Sequence, residues 1–184
     1  GHRVHGIISP DLDAQRWAAQ NVPYFDSSEN LTDILNRQPF DYLFSIINLR
    51  ILRPEHLALP RKLAINYHDG PLPRYAGLYA TSWALRNRET EHGITWHVIS
   101  EGVDTGDILL QRFVPVSNQD TAFTLNLKCY EAAIDSFKEL VQALSVGLAS
   151  RQPQDLTKRT YFPRSKRINP GGMLPLDQPA QEID

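Results

Sequence analysis

Residues 63–77, LAINYHDGPLPRYAG, decide the fold and carry its most informative side chains. The apolar start of this stretch predicts a buried strand that ends at Asn66, His68 and Asp69, and a loop rich in glycine and proline follows at once. In an open α/β sheet, ligands bind outside the carboxyl ends of the strands. The pattern therefore predicts a functional site where this strand ends.

Other strand patterns lie on both sides of this stretch. A strand over residues 3–8 and a helix over 12–20 open the chain, and the continuously apolar residues 40–48 predict a central, parallel strand. Residues 93–99 and 107–116 also predict strands, and the short connection between them leaves no room for a crossover helix, so we expect an antiparallel pair. We therefore predict an α/β, Rossmann-like fold with a mostly parallel sheet flanked by helices and an antiparallel pair in the C-terminal half.

The longest predicted helix covers residues 121–146. Apolar side chains recur in it at spacings of three and four, which predicts one stripe that packs on the sheet. The stripe consists of Phe123, Leu127, Tyr130, Ile134, Phe137, Val141 and Leu144.

Composition limits the classes of function. The chain has 184 residues, 41% of them apolar, and 19 basic against 21 acidic residues give a net charge of −2, so we expect no nucleic-acid partner. The basic residues of segment 158–167 form either a solvated tail or a docking patch for an acidic partner. No apolar run reaches the roughly 18 to 20 residues that span a bilayer, so we expect no membrane partner. The single cysteine, Cys129, is interpreted as a core residue in a reducing, cytoplasmic setting.

Three side chains are candidates for chemistry. Asn66 and His68 are two residues apart on a strand, so they share a face; a histidine can move protons near neutral pH, and an amide can hydrogen-bond an oxyanion. They could equally cap the loop. Asp104 lies between Gly102 and Gly106, in a loop that could approach a ligand or be an ordinary turn. Spacing does not rank the carboxylates Glu101, Asp69 and Asp107, and we find no metal-binding motif.

Three ordered motifs resemble the folate-dependent formyltransferase family, which includes glycinamide ribonucleotide transformylase and methionyl-tRNA formyltransferase. They are Asn66-Tyr67-His68 with Leu72-Pro73 and Gly77, then Gly93-Ile94-Thr95-Trp96-His97, and then Val103-Asp104-Thr105-Gly106-Asp107-Ile108-Leu109. The resemblance covers about residues 41–147.

This resemblance implies direct transfer of a formyl group from 10-formyltetrahydrofolate to an amine, without a metal. It implies that Asn66 and His68 stabilise the tetrahedral oxyanion, and that Asp104 orients and charges His68 and helps to move the amine proton. Asp69 is expected to point away from His68. The resemblance also implies a folate cleft made mainly of backbone, formed by Leu49, Arg50, Ile51 and Leu52 on one side and by Glu101, Gly102, Val103 and Asp104 on the other.

The loop departs from the usual His-x-Ser-Leu-Leu-Pro pattern of the family, because this chain has His68-Asp69-Gly70-Pro71-Leu72-Pro73. In this it is most similar to formyltransferase-like domains of nonribosomal peptide and polyketide synthetases. This likeness implies an aminoacyl or carrier-bound amine as acceptor, and other synthetase domains as partners. Alternatives are a small-molecule amine acceptor, a formyltetrahydrofolate hydrolase, and a non-catalytic folate- or nucleotide-binding module.

The resemblance also bears on domain organisation. The family begins with a strand and a helix before the segment that matches residues 3–8, so the first β-α unit is expected to be missing. We expect a catalytic domain over residues 1–148 and a loosely docked C-terminal extension or linker over residues 149–184.

Overall fold

The structure is a computed structural model that describes residues 2–166. Residues 167–184 of the expected C-terminal extension, and with them Arg167 of the basic segment, lie outside the described residues. In chain order the elements are β1 (Ile7–Ser9), α1 (Leu12–Asn21), β2 (Tyr24–Asp26), α2 (Leu31–Asn36), β3 (Tyr42–Ser45), α3 (Pro54–Leu57), β4 (Leu63–His68), β5 (Ala76–Gly77), α4 (Ala80–Arg86), β6 (Glu91–Val98), β7 (Ile108–Pro115), α5 (Ala122–Ser145) and β8 (Tyr161–Phe162).

The largest sheet contains four strands in the order β3, β4, β6, β7. β3 and β4 are parallel, whereas β6 is antiparallel to both of its neighbours, β4 and β7. Two further parallel pairs form separately, β1 with β2 and β5 with β8. Parallel pairing therefore prevails among the described strand pairs. The predicted α/β fold is confirmed, and the predicted antiparallel pair is β6 with β7.

The position of β3 corrects one prediction. β3 is parallel to β4 as expected, but it is an edge strand of the four-stranded sheet rather than a central one, and it is shorter than the apolar run over residues 40–48. The run continues through Ile46 and Ile47, which lie beyond the strand and are 47% and 65% exposed. Ile47 has a φ of 50°, and this left-handed conformation ends the extended backbone.

The stripe predicted to pack from α5 onto the sheet is largely wrong. Phe123, Leu127, Tyr130 and Ile134 are all exposed, Phe123 by 71%. The buried side of the helix consists instead of Leu125, Cys129, Ala133, Ser136, Leu140 and Leu144. Of the predicted stripe, Phe137 and Leu144 contact the core.

The core between α5 and the sheet is built around Trp96 of β6. The Trp96 indole N–H donates to Ser136 Oγ at 3.0 Å, and its ring packs against Phe137 and, edge-on, against Phe44 of β3. Cys129 is fully buried in the same layer, and burial raises the pKa of its thiol to about 12. This agrees with a packing role for Cys129 and keeps the thiol uncharged at neutral pH.

A second aromatic cluster attaches the residues after 149 to the rest of the fold. Phe162 of β8 stacks on Trp83 of α4 and on Tyr75, with ring centroids 4.5 Å and 5.6 Å apart. Phe162 is only 6% exposed. The described part of the expected extension is therefore packed against the domain rather than loosely docked.

Candidate active site

His68 is the last residue of β4, and its ring is held in one orientation. It is 4% exposed, and its Nε2–H donates to the backbone carbonyl of Tyr75 at 2.7 Å. Since Nε2 is used in this way, Nδ1 is the nitrogen left for chemistry. The loop that follows β4 thus fixes which edge of the imidazole faces the site.

Asp104 reaches His68 from the loop between β6 and β7. Its Oδ2 lies 3.7 Å from His68 Nδ1, within ion-pair distance but longer than a hydrogen bond, and the same oxygen accepts from the backbone N–H of Gly77 at 2.8 Å. Asp104 itself has a φ of 53°, in the left-handed region. This loop follows β6, which is antiparallel to β4. The carboxylate of Asp104 therefore does not come from the end of a strand parallel to β4.

The surroundings keep the Asp104 carboxyl ionised. Burial acts to raise its pKa, but the contact with His97, the charge of His68 and the Gly77 N–H outweigh burial, and together they lower the pKa to about 2. Asp104 is therefore a fixed negative charge next to the imidazole at neutral pH.

His97 connects Asn66 with Asp104. It is 2% exposed, its Nε2 lies 3.2 Å from Asn66 Nδ2 and 3.4 Å from Asp104 Oδ1, and its Nδ1–H donates to the carbonyl of Val98 at 2.9 Å. His97 Nε2 thus lies within contact distance of both the Asn66 amide and the Asp104 carboxylate. Sequence reasoning did not assign His97 to the site, although its motif contains it; the signal is its register, opposite Asn66 in the β4–β6 pair.

The other three candidate carboxylates, those of Asp69, Asp107 and Glu101, have different surroundings. Asp69 was expected to point away from His68, but its Oδ1 lies 3.8 Å from His68 Nδ1, because the backbone turns at the end of β4 instead of continuing as a strand. The Asp69 side chain is 32% exposed. Asp107 pairs with Arg151 at 3.1 Å, and Glu101 is exposed.

The two expected cofactor segments differ in exposure. Leu49 and Ile51 follow β3 and are 84% and 80% exposed, and the backbone of neither makes a hydrogen bond to the described part of the chain. A cleft of about 310 Å³ opens beside Arg50 and Ile51. On the other segment, Val103 is 46% exposed next to Asp104. Exposed apolar side chains with free backbone donors and acceptors are suited to a flat heterocycle such as a pterin.

Two negative findings concern the described residues alone. Within residues 2–166, no helix combines the length and the apolar character needed to cross a membrane. In the same part of the chain, no cluster of three or more histidine, cysteine or acidic side chains could hold a metal ion.

A largely buried cluster of amide, imidazole and carboxylate at the end of a strand gives this α/β protein the side chains that acid–base group transfer requires. The chain belongs to the formyl transferase family, whose family model matches residues 10–141.

Solved structures are similar to this chain over most of its length. The N-formyltransferase from Helicobacter canadensis, solved with folinic acid and dTDP-3-aminofucose, is 27% identical with a TM-score of 0.78, covering 91% of this chain and 60% of its own. WlaRD, a sugar 3N-formyltransferase solved in the presence of dTDP and 5-N-formyl-THF, is 26% identical with a TM-score of 0.77, covering 92% and 59%. The formyltransferase PseJ from Anoxybacillus kamchatkensis, at 24% identity and a TM-score of 0.69 over 86% and 85%, shares the fold.

The match to the first two structures is partial on their side. This chain spans about three fifths of the length of each.

Proposed function

We propose that this chain transfers the formyl group of 10-formyltetrahydrofolate directly to an amine, with Asn66, His68 and Asp104 as its catalytic residues. The observation that carries the proposal is the convergence of the three side chains through His97, in a member of the formyl transferase family. The folate compounds present with the Helicobacter canadensis enzyme and with WlaRD support the choice of cosubstrate.

The proposed reaction begins with attack of the amine nitrogen on the formyl carbon. As the C–N bond forms, charge develops on the formyl oxygen, and the second N–H of Asn66 and the Nδ1–H of a protonated His68 can donate to it. Asp104 Oδ2 lies 3.7 Å from the same nitrogen, so this carboxylate can orient the ring and stabilise positive charge that develops on it during the reaction. The amine loses one proton, the bond from the formyl carbon to N10 breaks, and N10 takes up one proton, which leaves a formamide and tetrahydrofolate.

The proposed folate cleft uses the segments 49–52 and 101–104. Leu49, Ile51 and Val103 offer apolar surface to the pterin, and the free backbone groups of the first segment offer donors and acceptors for its edge. The bound cosubstrate supplies an electrophilic carbonyl attached to a nitrogen that can leave as an amine.

The acceptor is proposed to be a primary amine on a larger carrier molecule. The amino sugar nucleotide present with the Helicobacter canadensis enzyme supports a nucleotide-linked amino sugar. The sequence HDGPLPRYAG supports an aminoacyl group bound to a carrier domain of a multi-domain synthetase, with residues 1–148 as the catalytic domain. These two acceptors differ in the group that bears the amine, so they can be compared directly.

Release of tetrahydrofolate from 10-formyltetrahydrofolate tests the proposal. We expect release with an amino sugar nucleotide or with an aminoacyl pantetheine, together with a formylated product, and we expect little release without an amine. Equal release without an amine would indicate a hydrolase, and binding of the folate without turnover would indicate a non-catalytic module. Either result would contradict the proposal.

Variants test the residue roles. Asn66→Ala removes one donor to the oxyanion, for which a loss of about 10²–10³-fold in kcat is expected. His68→Ala is expected to lower kcat by about 10²–10⁴-fold. Asn118→Ala, at an exposed turn after β7, is the matched control and should retain full activity.

A further inference from the structure

The segment 152–162, which we call the strap, holds the backbone of the Asp104 loop. The side-chain amide of Gln154 donates to the carbonyl of Asp104 at 3.1 Å and to that of Gly106 at 2.7 Å. The guanidinium of Arg159 donates to the carbonyl of Val103 at 2.9 Å. The strap thus binds three of the four carbonyl groups between residues 103 and 106.

The strap also holds the backbone that contacts His68. The N–H of Tyr75 donates to Thr160 Oγ1 at 2.8 Å, and the carbonyl of the same Tyr75 accepts the hydrogen bond from His68. β8 of the strap pairs with β5, which contains Gly77, the donor to the Asp104 carboxylate. The partners of both His68 and Asp104 are therefore fixed by the same eleven residues.

The residues that the strap holds have an unfavourable backbone conformation. Asp104 has a φ of 53° and Tyr75 a φ of 60°, and left-handed backbone is costly for residues other than glycine. Such a conformation persists only when surrounding contacts over-determine it. The two hydrogen bonds from Gln154 are contacts of this kind, since they join the carbonyls on both sides of Thr105.

We propose that Gln154 is a positioning residue for the formyl transfer, and that it keeps Asp104 in the conformation that aims its carboxylate at His68. This inference rests on the proposed function for its effect on turnover. It does not rest on that function for its structural consequence, which is the order of the Asp104 loop. Gln154 acts through the backbone of Asp104 and is not itself expected to touch substrate.

Gln154→Ala tests the inference, with Gln152→Ala as the matched control on the same strap. Gln152 pairs with Ile108 through its backbone alone, and its side chain makes no hydrogen bond to the described residues. In Gln154→Ala we expect the amide of Gly77, which donates to the Asp104 carboxylate, to exchange about tenfold faster, because two hydrogen bonds that hold the Asp104 loop are lost. Amides of β6 and β7 should keep their protection, and Gln152→Ala should exchange like the unaltered chain.

Turnover provides the second measurement. We expect kcat to fall at least about tenfold in Gln154→Ala while the KM for the amine stays within about twofold, since ground-state binding of the amine is unaffected. Gln154→Glu keeps the size of the side chain but lacks the N–H donors at neutral pH, so it should behave like Gln154→Ala. Activity at the original level in Gln154→Glu would show that only packing matters and would overturn the inference.

The two proposals can fail separately. If the unaltered chain transfers no formyl group to any amine, the proposed function fails, and the exchange rates still decide whether Gln154 orders the Asp104 loop. If exchange at Gly77 is the same in Gln154→Ala and Gln152→Ala, the positioning role is wrong whatever the turnover.

Discussion

His97 contacts two of the proposed catalytic residues, Asn66 and Asp104, although the proposed mechanism gives it no direct role. Its Nε2 lies 3.2 Å from the Asn66 amide, which restricts the orientation of that amide, and 3.4 Å from Asp104 Oδ1, the carboxylate oxygen that does not contact Gly77. Without this contact the amide could turn its oxygen, rather than its N–H groups, towards the proposed site of reaction. We therefore expect His97 to keep the Asn66 amide in one orientation.

For His97→Phe we expect kcat to fall by about 10–100-fold, because Asn66 loses its fixed orientation while substrate binding stays similar. His97→Gln keeps an acceptor near the same place and should recover part of the loss. Steady-state kinetics measure both effects, and the side-chain amide signals of Asn66 in nitrogen-resolved NMR should shift in His97→Phe. Unchanged amide signals together with unchanged kcat would contradict this role.

At this scale the sequence pointed to three residues that lie close together in the structure, but not to the contacts that connect them. The spacing and the resemblance pointed to Asn66, His68 and Asp104, and these residues do converge. The link through His97 and the approach of Asp69 were not predictable, because both depend on the register of β6 against β4 and on the turn after His68, which no local pattern specifies.

Among the elements, the two-residue strand β5 is the most constrained. Gly77 has a φ of 98°, and a Cβ at this position would lie 2.3 Å from the carbonyl oxygen of Phe162 in β8. A side chain here must separate β5 from β8, and this would move the N–H that binds Asp104.

Gly77→Ala is expected to destabilise the fold by about 1–3 kcal/mol and to lower turnover as well, because strain and a backbone clash act together. The control is Gly147→Ala. Gly147 also has a positive φ, 71°, but a Cβ there would meet nothing within 4 Å, so only a conformational cost of about 1 kcal/mol is expected and activity should be kept. Chemical denaturation and kinetics measure the difference; equal losses of stability and activity in both variants would argue against the clash.

The helix α5 offers a direct comparison between its two faces. Leu125 is fully buried and Leu127, two residues later, is 44% exposed. Leu125→Ala should cost about 2–5 kcal/mol, whereas Leu127→Ala should cost less than about 1 kcal/mol. Urea denaturation of the two variants measures both losses. A larger loss in Leu127→Ala than in Leu125→Ala would support the stripe predicted from the sequence.

The sequence misplaced the face of α5 for a physical reason. Both sides of the helix carry apolar residues at spacings of three and four, and the periodic signal favoured the side with the larger side chains. The sheet instead receives small ones such as Cys129 and Ala133, because Trp96 and Phe137 already fill the space between helix and sheet.

At the scale of the whole molecule, the low pKa of Asp104 links stability to pH. Its folded-state pKa, about 2, lies below the ordinary value of 3.8, so ionisation stabilises the fold above about pH 4 and this contribution is lost as the pH falls towards 2. A shift of this size corresponds to about 2 kcal/mol at neutral pH.

The variant Asp104→Asn tests this link. The unaltered chain should lose about 2 kcal/mol more of its free energy of unfolding between pH 5 and pH 2 than the variant does, since the variant has no carboxyl to protonate. Asp135→Asn, at an exposed position of α5, should follow the unaltered chain. Denaturation midpoints measured across this pH range decide the matter, and parallel curves for Asp104→Asn and the unaltered chain would refute it.

The order and type of the main elements were predictable from the sequence, because strand and helix periodicities are local. The contribution of the strap was not. Gln, Pro, Asp, Lys and Arg dominate residues 149–160, a composition typical of loops, and the hydrogen bonds that give the strap its place are made to residues far away in the chain.

That distance has a consequence for how the protein reaches its working state. Gln154 contacts a carbonyl 50 positions earlier, and Thr160 contacts a backbone N–H 85 positions earlier. Both contacts can form only after the strap, the last described segment of the chain, has been synthesised. As the chain leaves the ribosome, the residues of the sheet and of α5 therefore emerge before those that support the Asp104 loop, and this support comes only with the last part of the described chain.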